Sequence, residues 1–189
     1  QPAQSRGAEL NLSDRLREGG RNLARAVRND DGYRSVARRD YEFRALRRLT
    51  PLAAVDADGI RYLVSTADTA VGRETYMRRG YDATVMARLI ELAGDELRRP
   101  ALAGRTFVDI GANIGTSTIP AMRRYGASDA VAFEPAPDTF ALLQCNLVLN
   151  QLTDRVRAVQ IAVSDAEGSA TLELSETNWG DRRVRSGHL

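Results

Sequence analysis

A chain of 189 residues, 43% hydrophobic and 28% charged, is long enough to bury one proper core and falls among soluble globular proteins by composition. No apolar run approaches the roughly 18 residues that span a bilayer, and no apolar h-region precedes a small-residue cleavage site, so the cytoplasm is the expected compartment. The net charge of +2 hides an asymmetry: residues 1–50 hold 12 arginines against 7 acidic residues, and the remainder 15 against 18.

Residues 1–50 read as an arginine-rich helical extension, with Ser13 as an N-cap ahead of Leu16, Leu23 and Val27, and a second periodic stretch from Tyr33 to Leu49. Acidic residues are interspersed and no aromatic-basic interleaving occurs, so a solvated helical face is expected before a nucleic-acid arm. Pro51 ends the extension. Residues 51–104 form the approach to the core. Two short apolar runs, 53–57 and 60–64, flank Asp58-Gly59, a dipeptide suited to the positive φ angles of a type I′ hairpin turn. A short helix over 68–79 is expected to close on Gly80 in the left-handed conformation. Asp82 then caps a helix that carries Val85, Met86, Leu89, Ile90 and Ala93 on one face and stops at Pro100.

Residues 105–189 alternate strand and helix: strand 105–110, helix 115–125, strand 130–134, helix 137–150 and strand 156–163. Pro120 predicts a late start or a kink in the first helix, whereas Pro137 fits the first turn of the second, beneath a stripe of Phe140, Leu143 and Leu147. The single cysteine, Cys145, sits among Leu142, Leu143, Leu147 and Val148 and is expected to be a core thiol. A turn over 164–168 leads to a strand over 169–175, after which no period is evident through Asn178, Trp179 and Gly180. The lone His188 reads as a surface histidine.

The chemistry concentrates where strands end. Phe107-Val108-Asp109-Ile110-Gly111-Ala112-Asn113-Ile114-Gly115 is an apolar run that delivers an acid and then turns on two glycines. Ala130-Val131-Ala132-Phe133-Glu134-Pro135 ends in a second acid 25 residues after the first, one βαβ step. Adjacent parallel strands thus bring two carboxylates to the end of the sheet where open α/β folds bind ligands. The spacing D-x-G-x-x-x-G is not the dinucleotide G-x-G-x-x-G, because Asn113 stands where close approach to a pyrophosphate needs glycine. S-adenosylmethionine has no phosphate: Asp109 and the turn suit its amino-acid end and ammonium, and Glu134 its ribose hydroxyls. Two alternatives stay open at this point, a ligand-free tight turn and an Asp109 that caps that turn.

These blocks, with Phe133-Glu134-Pro135-Ala136-Pro137 and Asn146-Leu147-Val148-Leu149-Asn150, resemble the FkbM family of S-adenosylmethionine-dependent methyltransferases over about residues 55–180. The approach Gly80-Tyr81-Asp82 departs from it, since the family usually has glutamate at the third position. The resemblance implies a class I methyltransferase fold, a Rossmann-like α/β three-layer sandwich, here incomplete and preceded by the helical extension and small β-hairpin. It implies S-adenosyl-L-methionine as cofactor and O-methylation of a hydroxyl on a sugar or natural product. By the same resemblance Asp109, Gly111, Ala112, Asn113, Gly115, Glu134 and Pro135 line the cofactor site, while Asn146 and Asn150, one helical turn apart, brace the sheet end.

Family members continue with further strands, so the chain reads as the N-terminal part of a methyltransferase, cut at both Gln1 and Leu189, with Thr106 to Ile110 left as an exposed apolar edge. The expected partner is a small-molecule or saccharide acceptor, without a membrane span or nucleic acid. No metal ligand set and no catalytic base is identified. The runner-up readings are a tRNA or RNA methyltransferase and a non-catalytic S-adenosylmethionine-binding module, with an NAD-binding module behind them.

Overall fold

The computed structural model describes residues 34–81, 83–92, 101–169, 171–175 and 177–185. The expected helix around Ser13 to Val27, the Asp82 cap, Ala93, Pro100 and His188 lie outside them. The chain divides into two units, 1–38 and 39–189. Residues 34–38 of the first are helical.

The second unit begins with α1 (39–46), which buries Phe43, and with an antiparallel hairpin, β1 (Leu52–Ala57) and β2 (Ile60–Ser65). Asp58 and Gly59 both take positive φ, 54° and 82°, as the I′ turn requires, and Asp56 Oδ1 accepts the Gly59 N–H at 2.9 Å. Strict alternation turns Ala53, Val55, Ala57, Ile60, Tyr62 and Val64 inward. α2 (Val71–Arg78) follows. Its left-handed C-terminal residue is Arg79, at φ 60°, and not the expected Gly80; the Arg79 guanidinium lies 5.7 Å from the centre of the Tyr76 ring. α3 (Ala83–Leu92) exposes Val85 and Leu89, so part of its apolar stripe has no cover among the described residues.

The main sheet is parallel, in the order β3 (Thr106–Ile110), β4 (Asp129–Phe133), β5 (Val156–Val159). The crossovers are α4 (Thr118–Arg123) and α5 (Pro137–Leu149). The βαβαβ unit with this strand order is half of a Rossmann-like fold. α4 and α5 form the middle of three layers, touching the sheet on one side and β2 on the other. One sheet face, with Phe107, Asp109, Ala130, Ala132, Val156 and Ala158 in register, lies under the helices. On the opposite face Val108 and Ile110 are 57% and 64% exposed, and β3 is the sheet edge among the described residues.

The prolines act as anticipated. α4 starts late, at Thr118, so Pro120 falls in its first turn where no N–H is required by the helix, and Pro137 opens α5. β5 is shorter than expected because the Ile161 N–H turns back to the Val159 carbonyl at 3.1 Å, ending the strand. β6 (Thr171–Glu173) pairs antiparallel with β7 (Arg183–Arg185), a strand the sequence did not reveal. Cys145 is exposed, contrary to expectation, because α5 turns Leu142, Leu143, Asn146, Leu147 and Asn150 inward and leaves Gln144, Cys145 and Val148 outside. No helix among the described residues is long and apolar enough to cross a membrane.

Asn146 and Asn150 fasten α5 to the hairpin. Asn146 Oδ1 accepts the Leu63 N–H at 2.6 Å, and its Nδ2 donates to the Leu63 carbonyl at 3.2 Å and the Ile114 carbonyl at 2.9 Å. Asn150 repeats the pairing on Arg61, at 3.1 and 2.7 Å. Each amide thus supplies the donor and acceptor of a neighbouring strand to the outer edge of β2. Asn146→Leu strips three backbone groups of their partner, the Ile114 carbonyl in a buried bond and the Leu63 N–H and carbonyl in part-buried ones, and each buried orphan costs about 1–3 kcal/mol. Urea unfolding of this variant should show a loss of at least about 3 kcal/mol; a loss below about 1 kcal/mol would show the amide to be dispensable.

Candidate functional site

Parallel pairing of β3 with β4 sets Ile110 beside Phe133, so the two chains leave the sheet together and their loops must share space. The loop after β3 is sewn to the end of β4: the N–H groups of Gly111 and Ala112 both donate to the Phe133 carbonyl at 2.9 Å. Its tight path uses left-handed backbone at Gly111 (φ 81°), Asn113 (φ 51°) and Gly115 (φ 91°). Asn113 tolerates this conformation because its Oδ1 accepts the next N–H, that of Ile114, at 2.8 Å.

Glu134, 6% exposed, is the anchor of the cluster. Its Oε2 accepts the Asn113 N–H at 3.0 Å and its Oε1 the Ala136 N–H at 2.9 Å, so one carboxylate ties the β3 loop to the start of α5. Each oxygen keeps a further lone pair for a hydroxyl donor. Burial pushes the Glu134 carboxyl above the usual glutamate range; the two N–H donors and the Arg182 charge pull it back, and Asp138 adds to the rise.

Asp109 behaves differently. The Thr118 hydroxyl donates to its Oδ2 at 2.5 Å, and the Thr118 backbone N–H adds a second bond, so Asp109 caps the start of α4. The sequence left open an Asp109 that caps the glycine turn; the contact in the structure is instead with Thr118, the first residue of α4, whose hydroxyl uses Oδ2. Burial also raises the Asp109 carboxyl, against both Thr118 bonds.

The remaining predicted residues separate by geometry. A Cβ built on Gly111 meets nothing within 4 Å, so the space above the loop is open there. A Cβ on Gly115 would stand 3.0 Å from Ile119 Cδ1 and 3.1 Å from Leu143 Cδ1, which makes Gly115 a packing glycine. Ala112 buries its side chain in the core and presents only backbone, and Pro135 is half-buried next to Glu134. Asn146 and Asn150 bond to backbone, but chiefly to β2 of the hairpin and not to the sheet end where the sequence placed them; only the Asn146 bond to Ile114 reaches the loop after β3.

Two residues, Trp179 and Arg182, were given no role from the sequence. Trp179 receives the Asn113 Nδ2–H on its carbonyl at 3.5 Å, and Arg182 pairs with Asp138 in the first turn of α5. The signal was slight: one tryptophan next to a glycine, with an arginine three residues on, in a stretch without period. Among the described residues no cluster of His, Cys, Asp and Glu has the makings of a metal site.

No family model matches the chain. It is similar to Methyltransferase sdnD of Sordaria araneosa, 40% identical over 66 residues that make up 35% of this chain and 26% of that protein. It is also similar to 31-O-demethyl-FK506 methyltransferase FkbM of Streptomyces tacrolimicus, 41% identical over 94 residues, or 50% of this chain and 32% of that protein. The chain therefore spans about a quarter to a third of the length of these curated relatives. Among solved structures it is similar to P. horikoshii TYW2 in complex with MeSAdo, at TM-score 0.42 and 24% identity over 62% of this chain and 39% of that one. The M. jannaschii tRNA m1G37 methyltransferase gives TM-score 0.41 and 20% identity over 60% and 30%.

The two loop glycines make separable predictions. Gly115→Ala forces both a left-handed alanine and an overpacked contact with Ile119 and Leu143, and should lose about 2–4 kcal/mol in urea unfolding. Gly111→Ala carries only the conformational penalty and should lose about 1–2 kcal/mol. Equal losses would contradict the packing role of Gly115.

Proposed function

We propose that this chain carries the cofactor half of an S-adenosylmethionine-dependent methyltransferase whose acceptor is a hydroxyl on a sugar or natural product. The observation that carries the reading is Glu134, a buried carboxylate fixed by two backbone N–H groups, with lone pairs to spare, at the ligand end of a parallel sheet. The open space above Gly111 and the second carboxylate, Asp109, fit the group as well. The hydroxyl acceptor is inferred from the resemblance to the FkbM family and from a relative whose name describes an O-methyltransferase acting on a natural product.

S-adenosylmethionine supplies an electrophilic methyl group on a sulfonium centre. The residues of this chain bind and orient it. Glu134 is proposed to accept the two ribose hydroxyls, its own position locked by Asn113 and Ala136. Asp109 is proposed to meet the ammonium with the oxygen that Thr118 leaves free. Gly111 and Asn113 shape the loop against the amino-acid end, Ala112 and Gly115 contribute backbone and packing, and Pro135 flanks the nucleoside. Catalysis then draws on positioning in a water-poor site. The cytoplasmic compartment inferred from the sequence belongs to the same proposal.

The runner-up acceptor, a tRNA or other RNA, is favoured by one observation, the excess of five positive charges in residues 1–50 (12 − 7). Salt-sensitive micromolar binding of tRNA in a gel shift would favour it; its absence together with methyl transfer to a hydroxylated small molecule supports the first reading.

Asp109→Ala and Glu134→Ala should each weaken S-adenosylmethionine binding about tenfold or more by calorimetry, the loss of a hydrogen-bonded charge being worth about 1.5–3 kcal/mol. Unchanged affinity in both variants sinks the assignment. A pH dependence follows from burial. Because the folded-state Glu134 carboxyl lies above its unfolded value, its contribution to stability is complete at low pH and declines as pH rises through that value. Binding uses the ionised form, so on acidification from neutrality the affinity should fall at a pH above the ordinary glutamate range, before the fold itself weakens. Affinity that holds flat until the protein unfolds would contradict this role for Glu134.

A further inference from the structure

Residues 177–182 follow β6 and are tied to three separate elements. The Thr177 carbonyl accepts both the N–H and the hydroxyl of Thr69, at 2.8 and 2.7 Å. The Trp179 N–H donates to Asp68 Oδ1 at 3.3 Å, and Asp68 also caps the start of α2 through Ala70 and Gly72. The Trp179 carbonyl takes the Asn113 side chain. Arg182 reaches the first turn of α5, where it forms a bidentate pair with Asp138, one arm at 2.8 Å, and donates to Thr139 Oγ1 at 2.7 Å. Its guanidinium lies 4.3 Å from the centre of the Trp179 ring.

The Arg182 side chain is only 6% exposed. A cation so deeply buried is tolerated only where it is paired, and this one is held on the first turn of α5, the helix whose start Glu134 grips through the Ala136 N–H. Its Nε–H is buried and finds no acceptor among the described residues. An orphaned charged donor is costly to the free protein and is relieved when an acceptor arrives. Neither fact is needed to close the β6–β7 hairpin, whose ladder is complete without them.

We propose that residues 177–182 are a strap forming one wall of the nucleoside pocket, with Arg182 as its positioning residue: paired with Asp138 and stacked on Trp179, it holds the strap against the start of α5 and the Asn113 loop, the two segments that Glu134 joins, and leaves one N–H for an acceptor on the bound nucleoside. The inference rests on the cofactor reading above. It extends the site to residues far from the glycine loop in sequence.

The charged groups that act on Glu134 are Asp138 from α5 and Arg182 from the strap, with opposite sign. That opposition supplies a test which a merely structural strap would not pass. The probe is S-adenosylhomocysteine, titrated into the full chain by calorimetry between pH 8 and 5, with Trp179 emission followed in parallel; Trp179 is the sole tryptophan of the sequence. Wild-type binding should change the Trp179 emission. Arg182→Gln should weaken binding about tenfold at pH 7.5, as expected for a lost charge-assisted contact, and move the acid limb of the affinity profile to higher pH. Asp138→Asn, which keeps an acceptor for Arg182, should move the same limb to lower pH. Arg182→Lys retains the charge without the planar fork and should return the limb toward wild type while affinity stays reduced.

If Arg182→Gln fails to fold by circular dichroism, Arg182→Lys and Asp138→Asn decide the matter. Wild-type binding with a silent Trp179, or with acid limbs that coincide in all variants, overturns the strap and leaves the cofactor reading standing. No binding of the probe by the wild-type chain overturns the cofactor reading, and the strap with it.

Discussion

The amide of Asn146 joins three parts of the molecule that the chain itself connects only through long detours. A two-stranded hairpin is marginal in water, and β2 presents an outer edge of backbone groups that require partners. Asn146 and Asn150 meet that requirement from a helix, each offering the donor and acceptor that a strand would offer. An isolated helix side chain is an unusual substitute for a strand, but a primary amide has the same hydrogen-bonding complement as a peptide group. The third bond, to the Ile114 carbonyl, carries the constraint into the glycine loop. The loop conformation that orients the Asn113 N–H toward Glu134 therefore depends on the hairpin, although the hairpin lies a full layer away.

The cluster at the end of the sheet is built against its own electrostatics. Burial raises both Asp109 and Glu134, and the fold compensates with neutral dipoles first: a hydroxyl and an amide for Asp109, two amides for Glu134. Arg182 offsets part of the effect of burial on Glu134, while its partner Asp138 is held below the usual aspartate range by the same guanidinium.

Much of this was legible because it is local. Alternation gave the hairpin and its Asp58-Gly59 turn; prolines placed the starts of α4 and α5; the acids Asp109 and Glu134 stood out at the ends of two runs that form adjacent strands. The misreadings have equally local causes. An arginine took the left-handed position that glycine usually fills after α2, and a turn at Ile161 cut β5 short of its apolar run. Cys145 looked buried because leucines surround it in sequence, yet a helix turns adjacent residues by about 100°, and the inward stripe passes it by. Trp179 and Arg182 were invisible for a different reason. Their partners lie 111 and 44 residues away, and nothing in a short window reports a contact of that range.

The amide bracing of β2 also bears on synthesis at the ribosome. The hairpin leaves the exit tunnel early, but Leu63 waits 83 residues for Asn146, and Arg61 waits 89 for Asn150. At about 5–20 residues per second this is roughly 4 to 18 s during which the outer edge of β2 has no native partner. For that interval the nascent chain displays an open strand, the kind of surface that holdase chaperones cover and that neighbouring polysomal chains pair with. A helix made late closes a hairpin made 83 residues before it.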